Sequence, residues 1–467
     1  MLRKIVPFIP LAAFLAVPGM AAAKDDALQM VSIDVEGGGG TLFVTPEGKS
    51  LLIDTGNPEV SRATGAHPSS ERIAAAASAL GVKKIDYLLT THYHGDHIGG
   101  FEGLLARMPI GIVIDHGENR ETTASPNPTA PQIDMNNPPP GSTAYGYRRY
   151  VELIGSRRHI IAKPGDVFHI GSCTKSMTAT LTAILIDEGK LRWDTTIAEV
   201  FPELKGKMDK QYETVTVEQL LHHRGGVPGA PPAAAWKRAW EEQGTPTQQR
   251  REFIEAVLSQ PPEAAPGTKM IYSNQGYAIV GAMLEKITGQ DYEALITEKL
   301  FKPLHMDSAG FGPPGITDKV DQPWGHIHKL FMTIPVQSDN PPAIASAGRV
   351  HCSLDDLARF TIFHLQYHAT NGLLKPETLA KLHAPPAGAN NISPMENYAC
   401  GWVVLQRGWA GGTALWHHGS NTMWYIVMWL APEKDFAVIA ATNIAGPDAE
   451  QGCDDACVAM IHKWLPD

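Results

Sequence analysis

Ser172-Cys173-Thr174-Lys175 opens a run to Glu188 in which Met177, Leu181, Leu185 and Ile186 recur at the spacing of a buried helical face. A serine and a lysine three residues apart at a helix start share one face, so the ammonium can reach the hydroxyl. The positive end of the helix dipole also favours an alkoxide there and the oxyanion that follows it. Serine is a poor nucleophile near neutral pH and needs a base, a part that lysine can play when burial lowers its pKa. S-x-x-K alone also describes an ordinary helix start, so its meaning depends on what surrounds it.

Two further motifs lie downstream, Tyr272-Ser273-Asn274 and His417-His418-Gly419. Between them and the first motif, Thr216-Val217-Glu218-Gln219 forms a capping box opening a helix that stops at Gly225-Gly226. Met423–Leu430 and Phe436–Thr442 are β-rich runs joined by Ala431-Pro432-Glu433-Lys434-Asp435, an antiparallel hairpin, and Cys453 to Trp464 reads as a closing helix. Helices in the middle and an antiparallel sheet at the end predict an α+β or α/β-layered domain.

S-x-x-K, Y-x-N and H-x-G in this order resemble the serine β-lactamase and penicillin-binding protein superfamily, in its class C-like form. The resemblance runs from about residue 168 to the end. It includes Leu220-Leu221-His222-His223-Arg224-Gly225-Gly226 and Asp355-Asp356-Leu357-Ala358-Arg359-Phe360. It implies an antiparallel sheet flanked by helices and an acyl-enzyme on Ser172. Lys175 and Tyr272 would move the proton, and Asn274 would orient Lys175 and the substrate amide. The N–H groups of Ser172 and Ser420 would form the oxyanion hole beside His417 and Gly419. His417 stands where K-T-G members carry a lysine. A mostly neutral imidazole there favours an esterase or peptidase over a dedicated β-lactam hydrolase. His418 is expected to be a surface strand histidine.

The N-terminal part has a different texture. Leu28–Val35, Thr41–Thr45 and Ser50–Asp54 read as strands, Ser70 to Leu80 as a helix with Ser70 as N-cap, and Tyr87 to Thr90 as a buried strand. That strand ends in His92-Tyr93-His94-Gly95-Asp96-His97, whose H-x-H-x-D-H spacing suits a Zn²⁺ pair, one ion on His92 and His94 and the other on Asp96 and His97. With Asp54-Thr55-Gly56 and Gly99-Gly100, residues 28–115 resemble the first half of the metallo-β-lactamase fold, which implies zinc as cofactor and zinc-dependent hydrolysis as an alternative activity. The second half of that fold, with its further His and Asp ligands, is missing. His116 follows too soon, and His326, His328 and His417-His418 sit in serine-type sequence. The expectation is therefore an incomplete metal site. Glu118 to Gly146 is rich in Pro, Asn, Thr and Ser and reads as linker.

The serine-type part begins without the helix and two strands that usually precede S-x-x-K in that family. The hairpin of Thr41–Thr45 and Ser50–Asp54 either docks on the sheet edge so exposed or keeps its own sheet. Pairing between sequence neighbours favours its own sheet.

The whole chain, 467 residues, is long enough for two domains, and its 43% hydrophobic and 19% charged residues are those of a globular protein. A net charge of −10 without a basic stripe speaks against nucleic acid. Arg3 and Lys4, an apolar run to Met20 and Ala21-Ala22-Ala23 form an export signal, giving a secreted or periplasmic protein with no stable membrane insertion after cleavage. Five cysteines leave at least one free thiol. The expected organisation is signal peptide 1–23, metallo-β-lactamase-like half domain 24–117, linker 118–165 and serine β-lactamase-like domain 166–467. The expected activity is hydrolysis of a small β-lactam, ester or D-amino-acid peptide, with no cofactor needed at the serine. A non-catalytic penicillin- or peptidoglycan-binding protein is the remaining alternative.

Overall fold

The computed structural model describes residues 28–465 apart from 36–37, 59–66, 116, 118, 120–133, 135–136, 156, 162–164, 318, 320, 330–331, 366–371 and 388–392. The expected signal peptide and His116 therefore lie outside the described residues. The chain divides into two compact units, Met1–Lys163 and Pro164–Asp467.

In the first unit, β1 (Gln29–Ser32), β2 (Thr41–Val44), β3 (Ser50–Ile53), β4 (Ile85–Leu89), β5 (Ile110–Asp115) and β6 (Arg158–Ile161) form one sheet in sequence order. β1 to β3 run antiparallel and β3 to β6 parallel. Leu42, Leu52, Leu88 and Val113 are fully enclosed in its core. The hairpin β2–β3 keeps its own sheet, with β1 on one side and β4 on the other. α1 (Ser69–Ala79) starts one residue before expectation. Pro68, already extended at φ −55° and ψ 151°, is its N-cap, and Ser70 is buried inside the first turn.

The linker expectation for 118–165 fails at its C-terminal end. After α2 (Gly95–Ile98) and α3 (Phe101–Arg107), residues Thr143–Ile154 form α4, followed by β6. Ser142 caps α4 by accepting from the Tyr145 N–H at 3.2 Å. Tyr150, buried, donates its hydroxyl to Asp115 at 2.9 Å. The Pro- and Asn-rich composition that suggested linker ends at Gly141, just before this cap.

In the second unit, β7 (Val167–His169) and β8 (Gly310–Phe311) flank β11 (Val350–Ser353), with the ribbon β9 (Gly325–Lys329) and β10 (Met332–Val336) between β8 and β11 in the chain. β12 (Val403–Arg407), β13 (Gly412–Ser420), β14 (Tyr425–Ala431) and β15 (Phe436–Thr442) form an antiparallel sheet in that order. The single helix expected from Ser172 is a 3-10 turn, Gly171–Cys173, running into α5 (Thr174–Asp187). Nor does α5 bury only one face, because every residue from Thr174 to Leu185 is buried. Its inner threonines are tolerated because Thr178, Thr180 and Thr182 return their hydroxyls to carbonyls four residues back, at 3.1, 2.8 and 2.8 Å. The capping box at Thr216 and Gln219 is formed as expected, on a short helix ending at Leu221. The closing helix begins earlier than expected, spanning Pro447–Trp464. All five cysteines are reduced and buried.

Among the described residues β15 pairs only with β14, so it is a sheet edge without a charged side chain. Such an edge invites pairing with another chain, and a lysine blunts it. Thr442→Lys is expected to reduce the light scattering of the concentrated protein; scattering equal to that of the parent would show that this edge does not drive association.

Candidate active site

The turn Gly171–Cys173 puts Ser172 at the mouth of α5, partly exposed, with Lys175 one turn deeper and without solvent exposure. Lys175 Nζ lies 3.1 Å from Ser172 Oγ, 2.7 Å from Asn274 Oδ1 and 2.8 Å from the Ala347 carbonyl. The two carbonyl oxygens can only accept. A neutral amine therefore spends both its N–H groups on them and turns its lone pair to the Ser172 hydroxyl. Burial supplies that neutral form by pulling the Lys175 pKa down to about 7, against a small opposing effect from Cys173.

Tyr272 and Asn274 come from the segment that enters the helix Asn274–Thr288, which Ser273 caps by accepting from the Gly276 N–H at 3.2 Å. The Tyr272 phenol is hydrogen-bonded to Ser172, and its ring lies 4.8 Å from Lys175 Nζ. Burial raises its pKa despite the Ser172 bond, so it keeps its proton near neutral pH. Ser172, Lys175, Tyr272 and Asn274, 102 residues apart at the extremes of numbering 172–274, thus form one cluster.

β13 closes the other side. A side chain on Gly419 would overlap the Ile170 carbonyl and come within 2.8 Å of Ser172 N, while one on Gly171 (φ +48°) would overlap Ser420 N. The two glycines thus let the Ser172 turn and the end of β13 pack backbone against backbone. Ser420 keeps its hydroxyl for the Thr422 N–H at 2.9 Å.

His417 is buried on β13 and turned inward. Its Nδ1 lies 2.6 Å from the His418 carbonyl and its Nε2 2.9 Å from the Tyr398 hydroxyl. The first contact requires Nδ1–H as donor, so Nε2 accepts from the phenol. Burial, followed by the charge of Lys175, lowers its pKa well below the ordinary histidine value. It carries no positive charge for a substrate carboxylate. His418 is exposed and stacks on Trp416.

Sequence reasoning missed three contributors. Ala347 offers only a backbone carbonyl, which no motif announces. Tyr398 anchors His417. His223, within the stretch 220–226 that resembles the family, accepts from the Ser273 N–H at 3.2 Å and packs on the rings of Tyr272, Tyr277 and Tyr398. A fixed loop rather than a motif carries that role: His223 has φ +58°.

The histidines of the first unit are gathered but not arranged around an ion. The rings of His92 and His94 are 4.8 Å apart and those of His92 and His97 3.8 Å. His97 Nδ1 is committed to Asp54 Oδ2 at 2.7 Å, and its Nε2 faces Asp96 at 3.6 Å. Among the described residues no three His, Cys, Asp or Glu side chains are placed to hold one metal ion. This arrangement does not fit the Zn²⁺ pair that the spacing suggests.

A helix-flanked antiparallel sheet with S-x-x-K on a buried helix and Y-x-N beside it defines a β-lactamase/transpeptidase-like protein. The chain belongs to the beta-lactamase family, whose model matches residues 143–456, and residues 36–152 match the metallo-beta-lactamase superfamily. It is similar to penicillin-binding protein 4 of Amycolatopsis lactamdurans, 28% identical over 257 residues, covering 54% of this chain and 63% of that one. It also resembles the unguisins hydrolase of Aspergillus campestris, 24% identical over 304 residues, 60% of this chain and 53% of that one. The chain thus spans less than two thirds of the length of these curated relatives. Among solved structures, the octameric penicillin-binding protein homologue from Pyrococcus abyssi matches with a TM-score of 0.52 at 24% identity, covering 66% of this chain and 69% of that one. The D-amino acid amidase from Ochrobactrum anthropi matches at 0.52 and 20% identity, covering 65% and 86%. These likenesses establish the fold.

If the neutral amine of Lys175 takes the Ser172 proton, acylation requires pH above its pKa. The rate of Ser172 acylation is expected to fall as pH drops through about 7. A stopped-flow pH profile with a chromogenic ester measures this limb, and a rate flat from pH 5 to 9 would remove Lys175 as base.

Proposed function

We propose that this protein is an exported serine hydrolase that cleaves a small amide or ester through an acyl-enzyme on Ser172. The single observation carrying this is the enclosed Lys175 amine, with two carbonyl acceptors and Ser172 Oγ as its third neighbour. In the proposed cycle Ser172 Oγ attacks the substrate carbonyl as its proton passes to Lys175. The Ser172 and Ser420 amides receive the oxyanion, and Tyr272 relays the proton to the leaving amine or alkoxide. Water then attacks the acyl ester with the proton flow reversed, which releases the acid and restores Ser172.

The neutral, enclosed His417 supports a substrate without an obligatory carboxylate anchor, an uncharged amide or ester ahead of a β-lactam. The name of the unguisins hydrolase supports small-molecule hydrolysis, and that of penicillin-binding protein 4 supports acylation by a penicillin. The charged and apolar start at residues 3–23 supports export, and no helix among the described residues is long and apolar enough to cross a membrane.

Intact-mass measurement after incubation with a fluorophosphonate and a fluorescent penicillin tests the reading. The parent is expected to gain one adduct and Ser172→Ala none; an adduct of equal yield in Ser172→Ala would overturn it. Lys175→Ala and Tyr272→Phe are each expected to slow ester turnover by a factor on the order of 10² or more.

The two units also make separable predictions about metal. The serine cluster uses no metal ligand, so EDTA is expected to leave ester turnover unchanged. Turnover that disappears on chelation and returns with Zn²⁺ would transfer the activity to the His92–His97 segment.

A further inference from the structure

Behind the turn that carries Ser172 lies an enclosed histidine–aspartate pair. His169, without solvent exposure, accepts from the Gly171 N–H through Nδ1 at 3.0 Å. Its Nε2 therefore carries the proton, and lies 2.7 Å from Asp339 Oδ1. The same Oδ1 is 3.3 Å from Asn421 Nδ2 and accepts from the Asn340 N–H at 2.6 Å. Its other oxygen lies 3.3 Å from Arg349 Nε. Asn340 in turn donates to the Gly348 carbonyl at 2.8 Å, next to the Ala347 carbonyl that receives Lys175.

One buried carboxylate thus reaches the residues flanking both amides of the oxyanion pocket. Gly171 precedes Ser172, and Asn421 follows Ser420. We propose that Asp339, acting through His169 and Asn421, is a positioning residue that fixes the distance between the Ser172 and Ser420 amides. The inference rests on Ser172 being the acylated nucleophile. Asp339 is buried and acts through His169 and Asn421 rather than on substrate.

The facing glycines explain why such a clamp is needed. Gly171 and Gly419 let two backbones come into contact, but a glycine contact has no side chains to interlock and so resists sliding poorly. A charged hub bonded to both sides supplies the missing rigidity. Burial would push the Asp339 carboxyl up, but His169, Arg349 and the Asn340 N–H outweigh it and hold the group below the ordinary aspartate value. It is therefore ionised at neutral pH, the form that accepts from Asn340, Asn421 and Arg349 and pairs with His169.

The test uses the full chain with p-nitrophenyl butyrate, counting reactive serines with a fluorophosphonate and following amide exchange by mass spectrometry. Asp339→Asn is expected to lower kcat per titrated serine by about 10²-fold, the cost of a misplaced transition-state contact, with KM unchanged. Exchange is expected to quicken in segments 170–173 and 420–423. His169→Asn, which keeps an acceptor near Gly171 but loses the reach to Asp339, is expected to show the same kcat loss and to add little in the double variant. It also serves as the second variant should Asp339→Asn not fold. A purely structural pair would lower the melting temperature and the titratable fraction and leave kcat per titrated serine intact. That result, or unchanged exchange in both segments, overturns the inference. A parent chain that neither hydrolyses the ester nor takes the phosphonate overturns the Ser172 reading itself, a failure visible before any variant is made.

Discussion

The desolvation of Lys175 is the constraint on which the rest of the serine unit depends. A lysine at zero exposure is unfavourable as a cation, and its three polar neighbours only partly offset the loss of water. Neutralising it relieves that cost and produces a base in the same step. The surroundings follow from this need for dryness. α5 is enclosed on all sides and its threonines bond their own helix. Tyr272 and Tyr277 present their rings to the lysine, while His223 and His417 stay neutral near it. A charged residue at any of these positions would either restore the ammonium or compete with it.

Dryness alone does not orient a carbonyl, and a second constraint supplies orientation. The Ser172 turn and the end of β13 meet backbone to backbone, a contact that a single methyl group on either glycine would prevent. β13 is in turn held in its sheet by β12 over Gly412–Trp416 and by β14 over Leu415–Ser420. The amide of Ser420 thereby sits at the last pair of the β13–β14 ladder, and the amide of Ser172 at a buried helix start. Two elements thus meet through glycine, with no room for a side chain between their backbones.

How much of this was legible in the sequence depended on whether side chains or backbone did the work. Ser172, Lys175, Tyr272 and Asn274 could be read because their chemistry is in their side chains and two of them share a helical face. The glycine at 419 could be read as part of a motif, but the reason for it, a clash with Ile170 and Ser172, is a tertiary fact. Ala347 was invisible because it contributes a carbonyl. α5 was misread as one-sided because Thr178, Thr180 and Thr182 look polar, whereas their hydroxyls are already satisfied by the preceding turn. The segment 143–161 was misread because composition weighs the Pro-rich residues before Ser142 more heavily than the cap at Ser142 itself.

In the first unit the hairpin β2–β3 lies inside its own sheet. β3 is an interior strand: Leu51, Leu52 and Ile53 pair with Phe43, Leu42 and Thr41 on one side and with Tyr87, Leu88 and Leu89 on the other. Donating it elsewhere would break a parallel ladder as well as expose Leu52 and Leu88, both without solvent contact. Each such leucine contributes about 1.5–3 kcal/mol by burial, and this loss adds to that of the hydrogen bonds on both sides of β3. The same sheet holds β4, which ends at Leu89, three residues before His92. Asp54, at φ +57° where β3 stops, reaches the turn after β4 and accepts from the Thr91 N–H at 2.8 Å and faces His97 at 2.7 Å. The histidine cluster is thus supported by Asp54 as part of the fold of this unit, whether or not an ion joins it. Its carboxylate ties the ends of two adjacent parallel strands together, which gives the D-T-G and H-x-H-x-D-H segments a structural reason to occur together.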